Sequence, residues 1–259
     1  MIPIDRLCWQ SRLRQEHPGL KFFYSLSTLC ICLVSRSPAV ALAALAASAF
    51  LTVHRGGIPA RRYCRLLALP LTFLLLSSAA IAVNLQRTPL DLFALPVGPL
   101  FLTGSRAGLW YALRLALTAL AGVSCLYFLS LTTPMTDLLD VLRALHCPRL
   151  LTELMLMIYR YIFILTDTAR TIRTAQDSRL GSRDFRRSLR SFGMLGSALM
   201  IRAVTRSRAL YEAMEARCYD GTVRVLSEHR PLRRSAAAGV VLFELFLILL
   251  AAGGRVYGI

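Results

Sequence analysis

Acidic residues are scarce in this chain of 259 residues, which has 14 Asp and Glu against 31 Lys and Arg and a formal net charge of +17. Charged residues of both signs make up only 17% of the sequence, whereas 56% of it is hydrophobic. An ordinary soluble domain has about 25% charged residues and a smaller apolar share. The composition therefore excludes an ordinary soluble domain and predicts a membrane protein.

The motifs of common catalytic and cofactor sites are also absent from the sequence. It has no Gly-x-x-x-x-Gly-Lys-Ser/Thr loop for ATP phosphates, and its four histidines form no His-x-x-x-His or His-Glu-x-x-His pair. The seven cysteines include no Cys-x-x-Cys, so neither a zinc site nor a disulfide framework is expected. Basic residues beside aromatic ones are used to bind nucleic acid, but membrane anchoring argues against that use here. We therefore expect no catalytic residue, no metal ligand, no bound cofactor and no nucleic-acid partner.

Long uncharged runs indicate membrane-spanning helices. Two runs, 66–86 and 115–135, contain no charged residue. At about 1.5 Å per residue, each is long enough to cross the ~30 Å hydrocarbon layer as a helix. Shorter apolar windows lie at 22–35 and 37–53, and 235–254 is apolar apart from one glutamate. The sequence thus predicts an all-α, polytopic membrane protein with about five transmembrane helices.

The placement of arginine predicts the orientation of these helices. Basic residues crowd 6–21, before the first span, and 55–65, between the second and third, whereas few lie at 85–107. Because Lys and Arg mark the cytoplasmic side, we expect a multi-pass protein of a bacterial-type inner membrane with its amino terminus in the cytoplasm. The predicted domains are four transmembrane helices in 1–132, a basic cytoplasmic region with long amphipathic helices in 133–234, and the last transmembrane helix with a tail in 235–259.

The apolar run 150–166 tests this topology because by length alone it could cross the membrane. If it did cross, the arginine-rich segment 168–234 would lie outside, against the charge rule. Glu153, Arg160 and Asp167 recur every seven residues and so share one helix face. We predict one long amphipathic helix over 150–180, packed under or obliquely into the bundle, and a second helix over 197–218. The sequence leaves open whether 150–166 lies across or along the membrane.

Four charged residues interrupt apolar runs: Arg114, Glu153, Arg160 and Glu244. A charge at mid-membrane costs about 2.5–3.5 kcal/mol on insertion scales, so each must pair or reach the interface. Arg114 lies near the start of its span and reaches outward easily, whereas Glu244 lies near the middle of its helix and most needs a partner. A structural pair is the favoured interpretation, and a proton or cation relay is the alternative.

The segment 210–221, Leu-Tyr-Glu-Ala-Met-Glu-Ala-Arg-Cys-Tyr-Asp-Gly, resembles the Ala-Met-x-Ala-Arg-Gly-Tyr/Phe-x-Gly signature of the transmembrane T component of energy-coupling-factor transporters. Further blocks resemble those of the cobalt-type T component, CbiQ, and follow its order. They are Ile-Asp-Arg-Leu-Cys-Trp-Gln-Ser-Arg-Leu-Arg at 4–14, Thr-Thr-Pro at 132–134, Cys-Pro-Arg-Leu at 147–150, Tyr-Arg-Tyr at 159–161, and Ala-Gln at 175–176 followed by Arg179 and Gly181.

The resemblance implies an all-helical subunit that couples two cytoplasmic ATP-binding-cassette ATPases to a separate substrate-binding membrane subunit for cobalt or nickel. ATP is then bound by the partner subunits, and the chain itself is not an enzyme. By position, Ser178-Arg179-Leu180 and Ala216-Arg217-Cys218 correspond to the family's two Ala-Arg-Gly coupling motifs, and both keep the arginine but not the immediate glycine. The expected coupling residues are Arg179, Gly181, Ala216, Arg217 and Gly221, supported by Ala175, Gln176, Ala213 and Met214.

A self-contained membrane transporter or membrane enzyme is the competing interpretation. Its site would consist of the intramembrane charges described above. In either case the lipid bilayer is a partner of the chain.

Overall fold

The computed structural model describes the backbone of residues 3–86, 93–97, 100–104, 106–221 and 231–256, and the side chains of 7–81, 108–221 and 231–253. The contacts between residues divide the chain into two compact units. The first, here called the bundle, consists of 2–138 and 229–259, and the second, the hairpin unit, consists of 139–228.

Helices account for most of both units. The bundle contains α1 (Pro3–Gln10), α2 (Pro18–Ser35), α3 (Pro38–Phe50), α4 (Ala60–Ala82), α5 (Arg106–Thr132) and α9 (Arg234–Val256). A turn of 3₁₀ helix lies at Arg12–Gln15, and α3 continues into a π-helical turn at Leu51–Arg55. Helix α6 (Met135–Ala144) crosses the boundary between the units, and the hairpin unit also contains α7 (Arg149–Ser178) and α8 (Phe185–Glu215).

Five helical segments are long and apolar enough to cross a membrane: Pro18–Ser35, Pro38–Arg55, Ala60–Ile81, Gly108–Thr132 and Arg234–Gly253. This number confirms the five predicted spans and, with them, the predicted class of all-α polytopic membrane protein. All five belong to the bundle. The run 150–166 lies in α7, which is not among the candidate spans of the described residues.

A proline begins each of the first two spans, and a residue with a left-handed backbone conformation ends the first. Pro18 and Pro38 lie in the first turns of α2 and α3, where the missing N–H has no partner inside the helix to lose. The Nδ1 atom of His17 accepts a hydrogen bond from the backbone N–H of Gly19 at 3.1 Å and caps the start of α2. Arg36 has a φ of 48° and ends α2, so the chain reverses within two residues.

Helix α5 forms the centre of the bundle and packs against α2, α3 and α4. The fully buried Ala41 in α3 and Ala121 in α5 allow their backbones to approach closely, as small residues do between membrane helices. Buried hydroxyl groups link the same helices. The Oγ atoms of Ser48 and Ser124 are hydrogen-bonded to each other, and the Ser124 Oγ is also 2.7 Å from the hydroxyl of Tyr63.

A small sheet lies between α4 and α5 and was not predicted. Its strands are β1 (Val83–Gln86), β2 (Phe93–Val97) and β3 (Leu100–Gly104), and β3 pairs antiparallel with both of the others. The predicted span 66–86 therefore extends too far, because α4 ends at Ala82 and the chain continues as a strand. The prediction was based on the absence of charged residues, and β1 is uncharged as well.

The two long helices of the hairpin unit correspond to the two amphipathic helices expected from the sequence. Helix α7 covers nearly the predicted range of 150–180, but the predicted start of the second helix at 197 is wrong, because α8 begins at Phe185. Gly193 and Gly196 lie inside α8, at a cost of about 1 kcal/mol each relative to alanine, and do not interrupt it. The carboxylate of Asp184, at the helix start, pairs with Arg187 at 3.5 Å and complements the helix dipole.

Candidate functional site

The end of α7 has the geometry of a Schellman motif, in which the last carbonyl groups of a helix bond to the residues just beyond it. Leu180 has a left-handed φ of 56°, and its N–H donates to the carbonyl of Asp177 at 3.1 Å. The N–H of Gly181 donates to the carbonyl of Gln176 at 2.9 Å. We call residues 176–181 the first helix end.

The end of α8 repeats this geometry. Cys218 has a left-handed φ of 57°, and its N–H donates to the carbonyl of Glu215 at 3.0 Å. The N–H of Tyr219 donates to the carbonyl of Met214 at 3.1 Å. We call residues 214–219 the second helix end, and it matches the first position by position.

An arginine occupies the same position in both helix ends. Arg179 and Arg217 each directly precede the left-handed residue, and both are exposed. Their backbone N–H groups donate to the carbonyls of Gln176 at 3.1 Å and Met214 at 3.0 Å. Because backbone groups satisfy these carbonyls, the guanidinium groups are not needed to cap the helices. The two arginines are thus presented to the surroundings by identical turns.

Neither turn depends on the glycine that the resembled motif places directly after the arginine. Leu180 and Cys218 take that position with positive φ, at a cost of about 1–2 kcal/mol for a residue with a Cβ atom. The backbone therefore forms the same helix end at both sites without that glycine. Gly221 also has a positive φ, 83°, but lies beyond the second helix end.

Side-chain contacts hold the first helix end against the early turns of α8. The Nε2 atom of Gln176 donates to the carbonyl of Ser191 at 3.0 Å. The Ser191 hydroxyl donates to the carbonyl of Gly181 at 3.0 Å. A Cβ atom at Gly181 would lie 2.8 Å from both the Gln176 carbonyl oxygen and the Ser191 hydroxyl, so only glycine fits there without movement. The first helix end is consequently part of a fixed turn between the two helices.

The two arginines lie at opposite ends of α8. This helix has 31 residues, which corresponds to a length of about 45 Å at 1.5 Å per residue. Arg179 precedes its start and Arg217 follows its end. This distance is too large for one small ligand to contact both arginines, so each arginine has a separate environment.

The acidic residue of the second helix end is engaged by a neighbour other than the arginine. A hydrogen bond to the Glu215 carboxylate raises the pKa of the Tyr211 hydroxyl above its usual value. The two residues are separated by one helical turn. No ion pair joins Arg179 or Arg217 to a carboxylate among the described side chains.

The other expected coupling residues surround these turns. Gln176 and Met214 are half-buried and supply the carbonyls described above, whereas three small residues are exposed: Ala175, Ala213 and Ala216.

Two features of the helix ends were not predicted from the sequence. One is Ser191, which fixes the first turn, and the other is the match of Asp-Ser-Arg at 177–179 with Glu-Ala-Arg at 215–217. That repeated acidic–small–arginine pattern was the available signal.

Two of the four charged residues that interrupt apolar runs, Arg114 and Glu244, lie in the bundle. In the bundle, the buried Glu244 accepts hydrogen bonds at its Oε1 atom from the hydroxyls of Ser27 at 2.7 Å and Thr28 at 2.8 Å. The Nε atom of Arg114 instead donates to the backbone carbonyl of Arg36, in the turn between α2 and α3. Among the described side chains, the hydrogen-bond partners of Glu244 are thus two hydroxyl groups.

The remaining two intramembrane candidates lie in the hairpin unit. On α7, Glu153 is buried whereas Arg160 is exposed, so the shared face expected from their spacing is not uniformly buried. Asp167, the third member of the series, is exposed and pairs with Arg170 at 3.5 Å. No group of three His, Cys, Asp or Glu side chains suited to a metal ion occurs among the described residues.

Substitution of Glu244 separates a structural role from a relay. In Glu244→Gln the amide oxygen still accepts the two hydroxyl hydrogen bonds, so we expect assembly and transport close to the unsubstituted chain. In Glu244→Leu both bonds are lost, and the free energy of unfolding should fall by about 1 kcal/mol, since one such bond between membrane helices contributes about 0.6 kcal/mol on average. Thermal unfolding of the purified protein and transport assays measure the two effects. Full assembly of Glu244→Gln with transport abolished would instead show a relay.

Comparison with known proteins gives a consistent set of relatives. Residues 10–229 match the model of the family described as CbiQ, cobalt transport protein. The chain is 35% identical to the cobalt transport protein CbiQ of Rhodobacter capsulatus over 96% of its own length and 97% of the relative's. It is 33% identical to a putative fused cobalt transport protein, CbiMQ, of Methanocorpusculum labreanum over 93% of its length and 40% of the relative's. It is also 33% identical to the nickel permease LarQ of Lactiplantibacillus plantarum over 50% of its length and 45% of the relative's.

Proposed function

The chain belongs to the CbiQ family of cobalt transport proteins, and on that basis we propose that it is the transmembrane coupling subunit of an energy-coupling-factor importer. In this role it transmits the movements of two ATP-binding-cassette ATPases to a separate membrane subunit that binds the substrate. The proposed substrate is a cobalt or nickel ion. The chain itself performs no chemistry and binds no ATP.

The observation that carries this proposal is the pair of matched helix ends. Each ends in a Schellman turn and presents one exposed arginine at the same position. A guanidinium group offers a planar set of donors that pairs with two carboxylate oxygens at once, and it stays charged at any physiological pH. Two equal anchors are what a single chain needs to hold two equivalent partners.

The rigidity of the hairpin unit explains how movement is transmitted. The length of α8, about 45 Å, separates the anchors enough for each to reach a different ATPase. Gln176 and Ser191 tie the first anchor to the start of α8, so a pull on one anchor acts on the whole hairpin. Because α8 keeps the two anchors at a fixed separation, closure of the ATPases on nucleotide would tilt the hairpin as a rigid body.

The fused relative supports a division of labour between subunits. Its name describes a fused cobalt transport protein, and the chain matches only 40% of its length. The larger remaining part is available for a second transport component joined to the CbiQ-like part. We therefore assign substrate binding to a partner subunit, with cobalt favoured by that relative and nickel by the similarity to a nickel permease.

Co-purification tests this function against a self-contained transporter. An affinity-tagged chain, extracted in mild detergent from its own host, should bring with it two ATPase subunits and a second membrane protein. Metal uptake into proteoliposomes should require all of these components together with ATP. Uptake by the chain alone, driven by an ion gradient, would contradict the proposal.

The proposed topology places the amino terminus and 133–234 in the cytoplasm. In a background without the seven native cysteines, single cysteines are introduced as Arg186→Cys in the hairpin unit and Val97→Cys in the link between α4 and α5. An impermeant thiol reagent added outside the cell should label position 97 and leave position 186 unlabelled until the membrane is permeabilised. Labelling of position 186 from outside would overturn this orientation.

A further inference from the structure

A cavity of about 380 Å³ opens between the spans at one end of the bundle. It is bounded by the residues before and at the start of α2, the end of α3, the end of α5 and the start of α9. Since these helix ends all belong to the same end of an antiparallel bundle, the cavity lies at one membrane interface. Its volume falls within the range of about 300–1,000 Å³ that is usual for ligand pockets.

The lining of the cavity is apolar along most of its depth. Leucine, phenylalanine and alanine side chains from α2, α3, α5 and α9 form its walls, among them Leu20, Phe50, Phe128 and Phe243. Along α9 the lining runs from Ser235 to Phe243, which is about 12 Å of helix at 1.5 Å per residue. That depth approaches one leaflet of a hydrocarbon layer about 30 Å thick.

The charged residues that line the cavity lie near the helix ends and are mostly basic. Lys21 is 2% exposed, and its Nζ atom donates to the carbonyls of Leu13 and Thr132, both at 3.1 Å. Arg55, at the end of the π-helical turn, is exposed. Glu16 also lines the cavity, but its carboxylate pairs with Arg233 at 3.5 Å. The lining thus has two basic residues and one acidic residue, and the acidic one is already paired with Arg233, so the net charge of the lining is positive.

We propose that this cavity binds one anionic phospholipid, with its phosphate group at Arg55 and one acyl chain between α2, α3 and α9. An amphiphile with a negative head and a long apolar tail matches a slot that is positive at the interface and apolar below it. Basic pockets between membrane helices bind anionic headgroups in this way. The bound lipid fills the space between α9 and the first two spans and so completes their packing.

Gly239 offers a direct way to fill the cavity. It lines the cavity on α9, and a Cβ atom placed on it meets no atom within 4 Å. Gly239→Leu thus occupies the proposed acyl-chain position without disturbing the helix backbone. Gly122→Leu is the matched control, because a Cβ atom at Gly122 also meets nothing within 4 Å and this residue does not line the cavity.

Native mass spectrometry of the purified full-length chain tests the proposal. The protein is mixed in detergent with equal amounts of phosphatidylglycerol and phosphatidylcholine, and the retained lipid is counted. We expect one phosphatidylglycerol per chain, at least fivefold preferred over phosphatidylcholine. Gly239→Leu should lower this retention at least fivefold, and Gly122→Leu should leave it unchanged. Equal retention of the two lipids, or full retention by Gly239→Leu, would overturn the proposal.

The headgroup contact is tested by charge substitution, which also serves if Gly239→Leu does not fold. Arg55→Gln should lower the preference for phosphatidylglycerol at least threefold, whereas Arg61→Gln, an exposed arginine outside the cavity, should not. Equal effects of the two variants would overturn the assignment of Arg55. A protein partner is the other possible occupant. Efficient cross-linking of Gly239→Cys to a partner subunit in the assembled transporter would therefore also overturn lipid binding.

Discussion

We expect the double substitution Arg179→Ala/Arg217→Ala to remove most of the ATPase binding and most of the metal uptake. In the proposed complex each arginine pairs with a carboxylate on one ATPase, and removing one member of a buried charged pair costs about 2–5 kcal/mol. Loss of both anchors would therefore weaken the association by more than tenfold at each site. Pull-down of the ATPases and metal uptake, measured on the same membranes, give the result.

Matched variants control this experiment. Arg173→Ala/Arg208→Ala removes two exposed arginines from the same two helices, away from the helix ends, and should leave binding intact. Lysine at positions 179 and 217 should restore binding only partly, since an ammonium group lacks the planar set of donors. Membrane insertion should be unchanged, because both residues are exposed and neither supports the bundle. Normal uptake by the double alanine variant would show that these arginines face lipid or solvent only.

Gly181→Ala is expected to destabilise the turn at the first helix end. The new Cβ atom would lie 2.8 Å from the backbone carbonyl oxygen of Gln176, the group to which the N–H of this same residue donates. Relief of the overlap must open that hydrogen bond or displace Ser191. We expect a loss of about 1–3 kcal/mol in unfolding free energy, the usual cost of overpacking. We also expect weaker ATPase binding through Arg179.

Gly196→Ala is the control, because the same substitution there is expected to change the unfolding free energy in the opposite direction. It lies inside α8, where a Cβ atom meets nothing within 4 Å. Alanine there should stabilise the helix by about 0.5–1 kcal/mol because glycine loses more backbone entropy on folding. Thermal unfolding of both purified variants measures the difference. Shifts in the same direction would contradict the geometry of the first helix end.

The spans could be predicted from the sequence because each is a continuous apolar run of membrane length. The start of α8 could not, because glycine is a poor helix former and Gly193 and Gly196 lie inside the helix, where a Cβ atom on either residue would meet nothing within 4 Å. The sheet of β1, β2 and β3 was also missed, since the run without charged residues that predicted the third span continues from α4 through β1.

The candidate site, too, could be predicted from the sequence only in part. Arg179 and Arg217 were predicted through a resemblance to a family motif, whereas the Schellman turns that present them were not. Leu180 and Cys218 carry no sequence signal for positive φ, because only the surrounding hydrogen bonds hold them there. For Glu244 the need for a partner was evident, but its hydroxyl partners come from residues more than 200 positions away. Only the folded bundle brings them together.

The phospholipid cavity likewise has no signature in the sequence. Its walls come from five separate segments, and the salt bridge at its mouth joins Glu16 to Arg233. Each lining residue taken alone is an ordinary apolar or basic side chain of a membrane protein.

Photo-cross-linking at the two helix ends is the most direct test of the claim that each arginine binds its own ATPase subunit. A photoreactive residue replaces Ser178 or Ala216, the exposed neighbours of Arg179 and Arg217. Ser207, which lies in α8 before the second helix end, serves as the control. In membranes that contain the whole transporter, positions 178 and 216 should each cross-link to an ATPase subunit, and position 207 should not. If neither helix end cross-links to an ATPase, the coupling function proposed for this chain is wrong.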